Sequence, residues 1–329
     1  MKTIIIAEAG VNHDGNLTKA LKLVDIAKNS GADYVKFQTF VPDQLVTKNA
    51  KTAPYQKDIK NNNNQYKLLK KLYLSFVDQK IIFNYCKKKK IKFLSTAFDF
   101  KSLEFLLKLG VDYIKIPSGE ITNYTFLKKI SKINKKVILS TGASTLNEIT
   151  AALKVLKLKK NSLTILHCNS SYPTPLKDVN LNVLREIKKK YKYNVGYSDH
   201  TLSLAVPVSS VALGASIIEK HFTISRKSKG PDHKSSLESE ELNQMVKLIR
   251  EIEIAKGKSK KIITRSELEN RKIIRKSIVA SRFIKKGEKI TKKNISFKRP
   301  GDGISPMDQK KIIGKLAKKN FLKDEKIKI

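Results

Sequence analysis

Short apolar runs alternate with helix-length segments from residue 3 to residue 255. Residues 3–9 form the first run and take in Glu8 just before Gly10, the pattern of a parallel strand buried on both faces. In 16–29, Leu17, Ala20, Leu21, Val24 and Ala27 fall on one face of a helix. Gly31-Ala32 closes that helix, and 33–40 reads as the next strand. The unit then recurs, with strands over 92–98, 113–118, 137–142, 163–169, 195–199 and 216–223. Helices are expected over 103–109, 126–133, 146–156, 181–191, 203–213 and 240–255. Eight such strand–helix units predict an α/β fold, a closed (β/α)8 TIM barrel rather than an open doubly wound sheet.

The repeat is broken twice. Residues 41–73 form a long polar insertion after the second strand, with Asn61 to Asn64 at its centre. Such a segment is either a mobile loop over the barrel mouth or a surface excursion. After Gly257 the chain changes character: 258–275 is charged and reads as a linker. Residues 277–280, 284–290 and 295–298 then look like short strands separated by turns, and 298–303 is a turn-rich loop presenting Arg299. The expected organisation is a catalytic barrel over 1–257, a linker over 258–275 and a small, mostly β domain over 276–329.

Composition narrows the class. A chain of 329 residues suits one large domain and a smaller one, and 40% hydrophobic content supports a packed core. No apolar run approaches membrane-spanning length, and the first residues lack the pattern of a signal peptide. Two cysteines, Cys86 and Cys168, are too few for a disulfide framework. The expected location is the cytoplasm, with no membrane partner. The net charge of +39 raises the question of nucleic acid. The excess is mostly lysine, however, and it is spread through 87–90, 188–190 and 258–261 rather than gathered on one element. Arginine is the residue favoured for bidentate phosphate and base contacts. A solvated lysine surface is therefore expected, and no specific nucleic-acid partner.

Polar residues gather at the strand ends: Glu8; Lys36 and Gln38; Ser95 and Thr96; Lys115, Ser118 and Glu120; Ser140 and Thr141; His167 and Asn169; 198–200; Glu219 and His221. In a barrel these C-terminal strand ends line the mouth where a ligand binds. The stretches 196–200 and 218–222 each put a histidine beside a carboxylate, and a helix-length segment separates them. Strand, helix, strand makes two parallel neighbours, so His200 and His221 leave from one edge of the sheet. Either histidine alone reads as an ordinary strand-end residue. Together they read as ligands of a divalent metal.

Seven stretches in order carry a family resemblance. They are Ile6-Ala7-Glu8-Ala9-Gly10-Val11-Asn12-His13-Asp14-Gly15, Val35-Lys36-Phe37-Gln38-Thr39-Phe40, Lys115-Ile116-Pro117-Ser118-Gly119-Glu120, and the segments 167–175, 196–200, 219–223 and 230–233. Over essentially its full length the chain resembles the phosphoenolpyruvate-dependent sialic acid (N-acetylneuraminate) synthases. Its tail resembles their antifreeze-like (SAF) domain, with 298–306 as the signature loop. Departures are small: Ala97 stands where a proline is common, and Ser170 where some members carry asparagine.

The resemblance implies condensation of phosphoenolpyruvate with an open-chain N-acetylated hexose, N-acetylmannosamine, giving N-acetylneuraminate and phosphate. The alternative within the class is a 2,4-diacetamido hexose, as in legionaminic or pseudaminic acid synthases. Outside it stands a non-catalytic carbohydrate-binding protein on a decayed barrel, against which the intact Lys36, Lys115, His200 and His221 argue. Lys36 and Lys115 suit the negative charges of phosphoenolpyruvate, with Thr96, Ser118 and Ser198 as hydrogen-bond donors. A metal on His200 and His221, manganese by resemblance with magnesium or cobalt as alternatives, would polarise the aldehyde. Glu120 is the candidate to orient or deprotonate the water that adds later. Glu8, Glu219 and Asp232 are expected as supporting or sugar-binding carboxylates; Gln38, Asn169, Ser170 and Tyr172 are expected to touch substrate. His13 and His233 are lesser candidates, His167 reads as a core histidine, and Cys168 shows no activating pattern. The family pattern further implies a domain-swapped homodimer in which Arg299 reaches the sugar's N-acetyl carbonyl in the partner's barrel.

Overall fold

β1 (Ile4–Gly10) pairs in parallel with both β2 (Tyr34–Thr39) and β8 (Ile217–His221), and this closes the sheet. The computed structural model describes residues 2–53 and 64–328. Between those strands run β3 (Lys92–Ala97), β4 (Tyr113–Ile116), β5 (Lys136–Ser140), β6 (Leu163–Cys168) and β7 (Asn194–Asp199), in sequence order around the ring. The fold is the eight-stranded parallel TIM barrel that the repeat predicts.

Alternation along the strands decides what the barrel holds. Ile6, Tyr34, Leu94, Ile138, Leu166 and Ile217 form an apolar plug inside it. Two residues further on, each inward position belongs to the mouth. Glu8 follows Ile6, Lys36 follows Tyr34, Thr96 follows Leu94, Ser140 follows Ile138 and Glu219 follows Ile217. The intervening positions, among them Ile5, Val35, Phe93, Val137, Ile165 and Ile218, join the larger core under the helices. Gly196 is needed inside β7, because a Cβ there would lie 2.5 Å from Leu166 Cδ2 and 2.6 Å from the Ile217 carbonyl oxygen.

The helices return the chain between strands and follow local signals. Asn16 caps Leu17–Asn29 through the Lys19 amide, and Thr145 with Glu148 makes a reciprocal capping box on Leu146–Leu156. The sequence pattern sets no element over 74–91, where the structure has a helix, Phe76–Lys89, capped reciprocally by Ser75 and Asp78. Its apolar residues are distributed around the helix with lysines between them, so the cap is a clearer signal than the periodicity. The insertion after β2 is not a bare loop in its described parts. It contains the helices Pro42–Leu45 and Gln65–Leu72, the second capped by Asn64. Asn61 to Asn63 lie outside the described residues.

The chain divides into two compact units, residues 1–257 and 258–329. The second has its own core, including Ile278, Ile284, Ile290, Ile312, Phe321 and Ile327. Its helix is Leu268–Ile274, and β9 (Ser277–Ala280) pairs antiparallel with β10 (Ile295–Lys298). Residues 284–290, expected as a strand, run antiparallel to 314–321, with bridges Ile284–Phe321 and Lys289–Leu316 and the Ile290 amide donating to the Lys315 carbonyl oxygen. A turn at Lys286 and Gly287, closed by the Glu288 amide on the Lys285 carbonyl oxygen, interrupts the pairing, so no continuous strand forms. Among the described residues no helix is long and apolar enough to cross a membrane.

Candidate active site

A cavity of about 500 Å³ opens at the C-terminal ends of the strands. Of the residues singled out by sequence, it is lined by Glu8, Lys36, Gln38, Thr96, Lys115, Ser118, Glu120, Ser170, Tyr172, Ser198, His200, Glu219 and His221. The parity of the strands explains this convergence: residues two apart share a face, so the inward positions beyond the apolar plug all open on the mouth, staggered from strand to strand.

Two buried lysines and two buried glutamates form the floor. Lys36 Nζ lies 2.6 Å from Glu8 Oε2 and 3.6 Å from Glu219 Oε2, and it donates to Thr96 Oγ1 at 2.9 Å. Lys115 Nζ lies 3.4 Å from Glu219 Oε1 and donates to Ser140 Oγ at 2.7 Å. Ser198 Oγ donates to Glu219 Oε1 at 2.9 Å. Burial disfavours the charge on Glu219, yet Lys115 and Lys36 outweigh it and hold that carboxyl down to about 2. At Glu8 burial wins over Lys36, and Glu219 adds repulsion, so its carboxyl is pushed up to about 7. Burial also draws the Lys115 ammonium below its ordinary value, against the pull of Glu219. Burial and Glu219 thus act against the charge on Glu8, while Lys115 and Lys36 favour the charged form of Glu219.

The two histidines stand together at the β7–β8 rim, their ring centroids 5.5 Å apart, and Tyr172 lies 4.2 Å from the His200 ring. His200 Nδ1 pairs with the Asn169 carbonyl oxygen at 2.5 Å, which leaves its Nε2 for a ligand. His221 Nδ1 is buried with no hydrogen-bond partner, 4.0 Å from Asp232 Oδ2. Burial holds His200 down to about 4, and burial with the neighbouring His200 and Lys36 holds His221 well below its ordinary value. Neutral imidazoles are the form that binds metal, so the pair fits a divalent cation as two of its ligands. Among the described residues no group of three His, Cys, Asp or Glu side chains converges to hold one, so the remaining positions would fall to water or substrate.

Not every expected residue reaches the cavity. Asn169 acts beside it: its carbonyl meets His200, and its Nδ2 donates to the Asp178 carbonyl oxygen at 2.7 Å. Asp232 is buried behind His221, and burial pushes its carboxyl up to about 6. The loop carrying it is pinned by His233, whose Nδ1 pairs with Thr223 Oγ1 at 2.7 Å and whose Nε2 pairs with Asp14 Oδ1 at 3.0 Å. His13 is buried and accepts from the Gly15 amide at 3.0 Å, and His167 pairs with the Val179 carbonyl oxygen at 2.8 Å. Glu120 lines the cavity and accepts from Asn123 Nδ2 at 2.6 Å. Arg299 belongs to the second unit, where its Nε donates to the Ile274 carbonyl oxygen at 3.0 Å. Sequence reasoning missed Leu45, Val46, Ala53, Gln65, Leu69 and Phe98, which line one side of the cavity. The available signal was the helical spacing of Gln65 and Leu69 within the insertion.

Comparison with known proteins adds independent findings. The model of the NeuB family matches residues 23–261, and that of the SAF domain matches residues 275–328. The N,N'-diacetyllegionaminic acid synthase of Campylobacter jejuni is 48% identical, over 99% of this chain and 99% of that protein. The pseudaminic acid synthase of the same species is 35% identical, over 97% of this chain and 94% of that one. Among solved structures, the N-acetylneuraminic acid (sialic acid) synthetase of Leptospira borgpetersenii superposes with a TM-score of 0.73 at 34% identity, covering 82% of this chain and 90% of that one.

Proposed function

The chain belongs to the NeuB family of phosphoenolpyruvate-dependent synthases, and on that premise we propose that it condenses phosphoenolpyruvate with an open-chain 2,4-diacetamido hexose and releases phosphate. The observation that carries the choice of sugar is the 48% identity, end to end, with an N,N'-diacetyllegionaminic acid synthase. The mono-acetamido sugar of the first expectation becomes the second reading, favoured by the likeness to the Leptospira synthetase.

In this reading Lys36 and Lys115 receive the carboxylate and phosphate of phosphoenolpyruvate. The incoming anion takes over charges that Glu8 and Glu219 otherwise neutralise, and uptake of a proton by Glu8 relieves the crowding. Thr96, Ser118 and Ser198 supply further hydrogen bonds, while Gln38, Ser170 and Tyr172 face the sugar. The enol carbon attacks the aldehyde carbon, whose oxygen gains a proton, and positive charge develops at C2 of the phosphoenolpyruvate. Water adds there, oriented or deprotonated by Glu120, and the C–O bond to phosphate then breaks. His200 and His221 would hold a divalent cation, manganese by family resemblance, which when bound would supply polarisation of the aldehyde. Asp232 supports His221 from behind. By the same resemblance the working form is a homodimer in which Arg299 completes the partner's site. The test is phosphoenolpyruvate labelled with heavy oxygen at the bridging position: the released phosphate carries the label. Label retained in the organic product would overturn the C–O cleavage.

A further inference from the structure

The cavity is chemically two-sided. Its floor and its β7–β8 rim are charged and polar, whereas the side built by the insertion after β2 and the residue following β3 presents Leu45, Val46, Ala53, Leu69 and Phe98. All five are half-buried, with apolar surface toward the cavity. No charged residue from the described insertion lines the cavity; Gln65 is its one polar contribution.

That wall is held from behind. Val11, Phe40, Leu68 and Leu72 form a separate buried cluster against which Leu45, Leu69 and Phe98 pack. In the helix Gln65–Leu72, Leu68 and Leu72 are four apart and face the cluster, while Gln65 and Leu69, also four apart, face the cavity. The Phe40 and Phe98 rings meet edge-on with centroids 6.4 Å apart. The helix is therefore anchored on one face, and its adjacent face is offered to a ligand.

Position in the ring then says which part of a substrate meets the wall. In an eight-strand barrel in sequence order, β3 and β7 stand four places apart, on opposite sides of the mouth. A sugar with its aldehyde end at His200 on the β7 side would, in spanning the mouth, bring its far end to the wall above the β2 and β3 ends. The substituent at C4 is three carbons from the aldehyde, and an acetamido group there ends in a methyl that needs an apolar, uncharged neighbour. We infer that Leu45, Val46, Ala53, Leu69 and Phe98 form a specificity wall that receives the methyl of the second acetamido group, with the Gln65 amide available to its polar atoms. This inference rests on the condensation reading above and adds to it the residues that select a diacetamido sugar over a mono-acetamido one.

The test compares kcat/KM for a 2,4-diacetamido hexose and for N-acetylmannosamine in the full-length protein, by phosphate release with phosphoenolpyruvate and manganese. Leu69→Asn and Val46→Thr keep side-chain size and remove apolar contact. The expected result is that each lowers the ratio of the two kcat/KM values, diacetamido over mono-acetamido, by about tenfold, the scale of small-group discrimination in apolar pockets. A general loss of folding or activity leaves that ratio unmoved, so an unchanged ratio in both variants overturns the wall. A wild-type protein that prefers the mono-acetamido sugar also overturns it while leaving the condensation intact. Absence of phosphate release with either sugar overturns the condensation reading itself.

Discussion

Lys36 Nζ lies 2.6 Å from Glu8 Oε2 at the cavity floor, and neither side chain has more than a trace of solvent contact. Glu219 stands between Lys36 and Lys115, so two positive and two potentially negative groups share one desolvated space. Removing one partner from such a set leaves an uncompensated buried charge, which costs more than the pair contributes. The arrangement therefore suits a ligand that brings its own negative charge and takes the place of a glutamate.

Replacing Lys115 with methionine tests that assignment. The phosphoenolpyruvate anion would lose a charged partner worth roughly 2–5 kcal/mol when truncated. Its KM should rise steeply while the sugar's moves much less, as steady-state kinetics with each substrate varied will show. Equal losses for both substrates would count against a phosphoenolpyruvate floor.

The histidine pair predicts metal dependence. Chelation should abolish turnover and a manganese salt should restore it. In calorimetric titration, His221→Ala should bind manganese far more weakly than the parent while circular dichroism stays that of a folded barrel. Full turnover by a chelated, metal-free sample contradicts the metal role.

Acid stability should depend on His13. Burial holds its imidazole down to about 4 against an ordinary 6.5, so between those values the unfolded chain takes up a proton that the native state refuses. Stability must then fall as pH falls through that window. His13→Gln removes this contribution. Its loss of unfolding free energy between pH 6.5 and about 4.5, measured with urea, should be smaller than the parent's by about 2 kcal/mol. An identical loss in both proteins rules out a neutral buried His13 as its source.

Much of the site is legible in the sequence because strand parity and strand ends are. Glu8, Lys36, Lys115, Ser198, Glu219 and His221 stand at the ends of apolar runs, and a closed barrel has one place to put them. Which carboxylate meets which ammonium was not legible, since it depends on register: Glu8 is directly beside Lys36 across β1 and β2. The apolar wall was hidden for another reason. Leu45 and Leu69 lie in a polar insertion, and their packing on a cluster that brings Val11 and Phe40 against Leu68 and Leu72 is a tertiary contact no local pattern shows. Residues 284–290 misled because a turn at Lys286 and Gly287, closed by the Glu288 amide on the Lys285 carbonyl oxygen, interrupts their pairing with 314–321.

Arg299 provides a test of assembly. Arg299→Ala and His221→Ala should each be inactive alone. Under conditions that exchange subunits, a mixed dimer pairs an intact barrel with the partner's intact Arg299, and activity should return to one site. No recovery, with mixed dimers demonstrated, would sink the proposal that the tail acts in trans.

The most direct measurement is the reaction itself. The purified protein is incubated with phosphoenolpyruvate, manganese and, in parallel, a 2,4-diacetamido hexose and N-acetylmannosamine, with phosphate release followed and the product mass determined. The account predicts phosphate release that requires sugar, a higher kcat/KM for the diacetamido hexose, and a product mass equal to sugar plus phosphoenolpyruvate plus water less phosphoric acid. No phosphate release with either sugar, or a clear preference for N-acetylmannosamine, would contradict it.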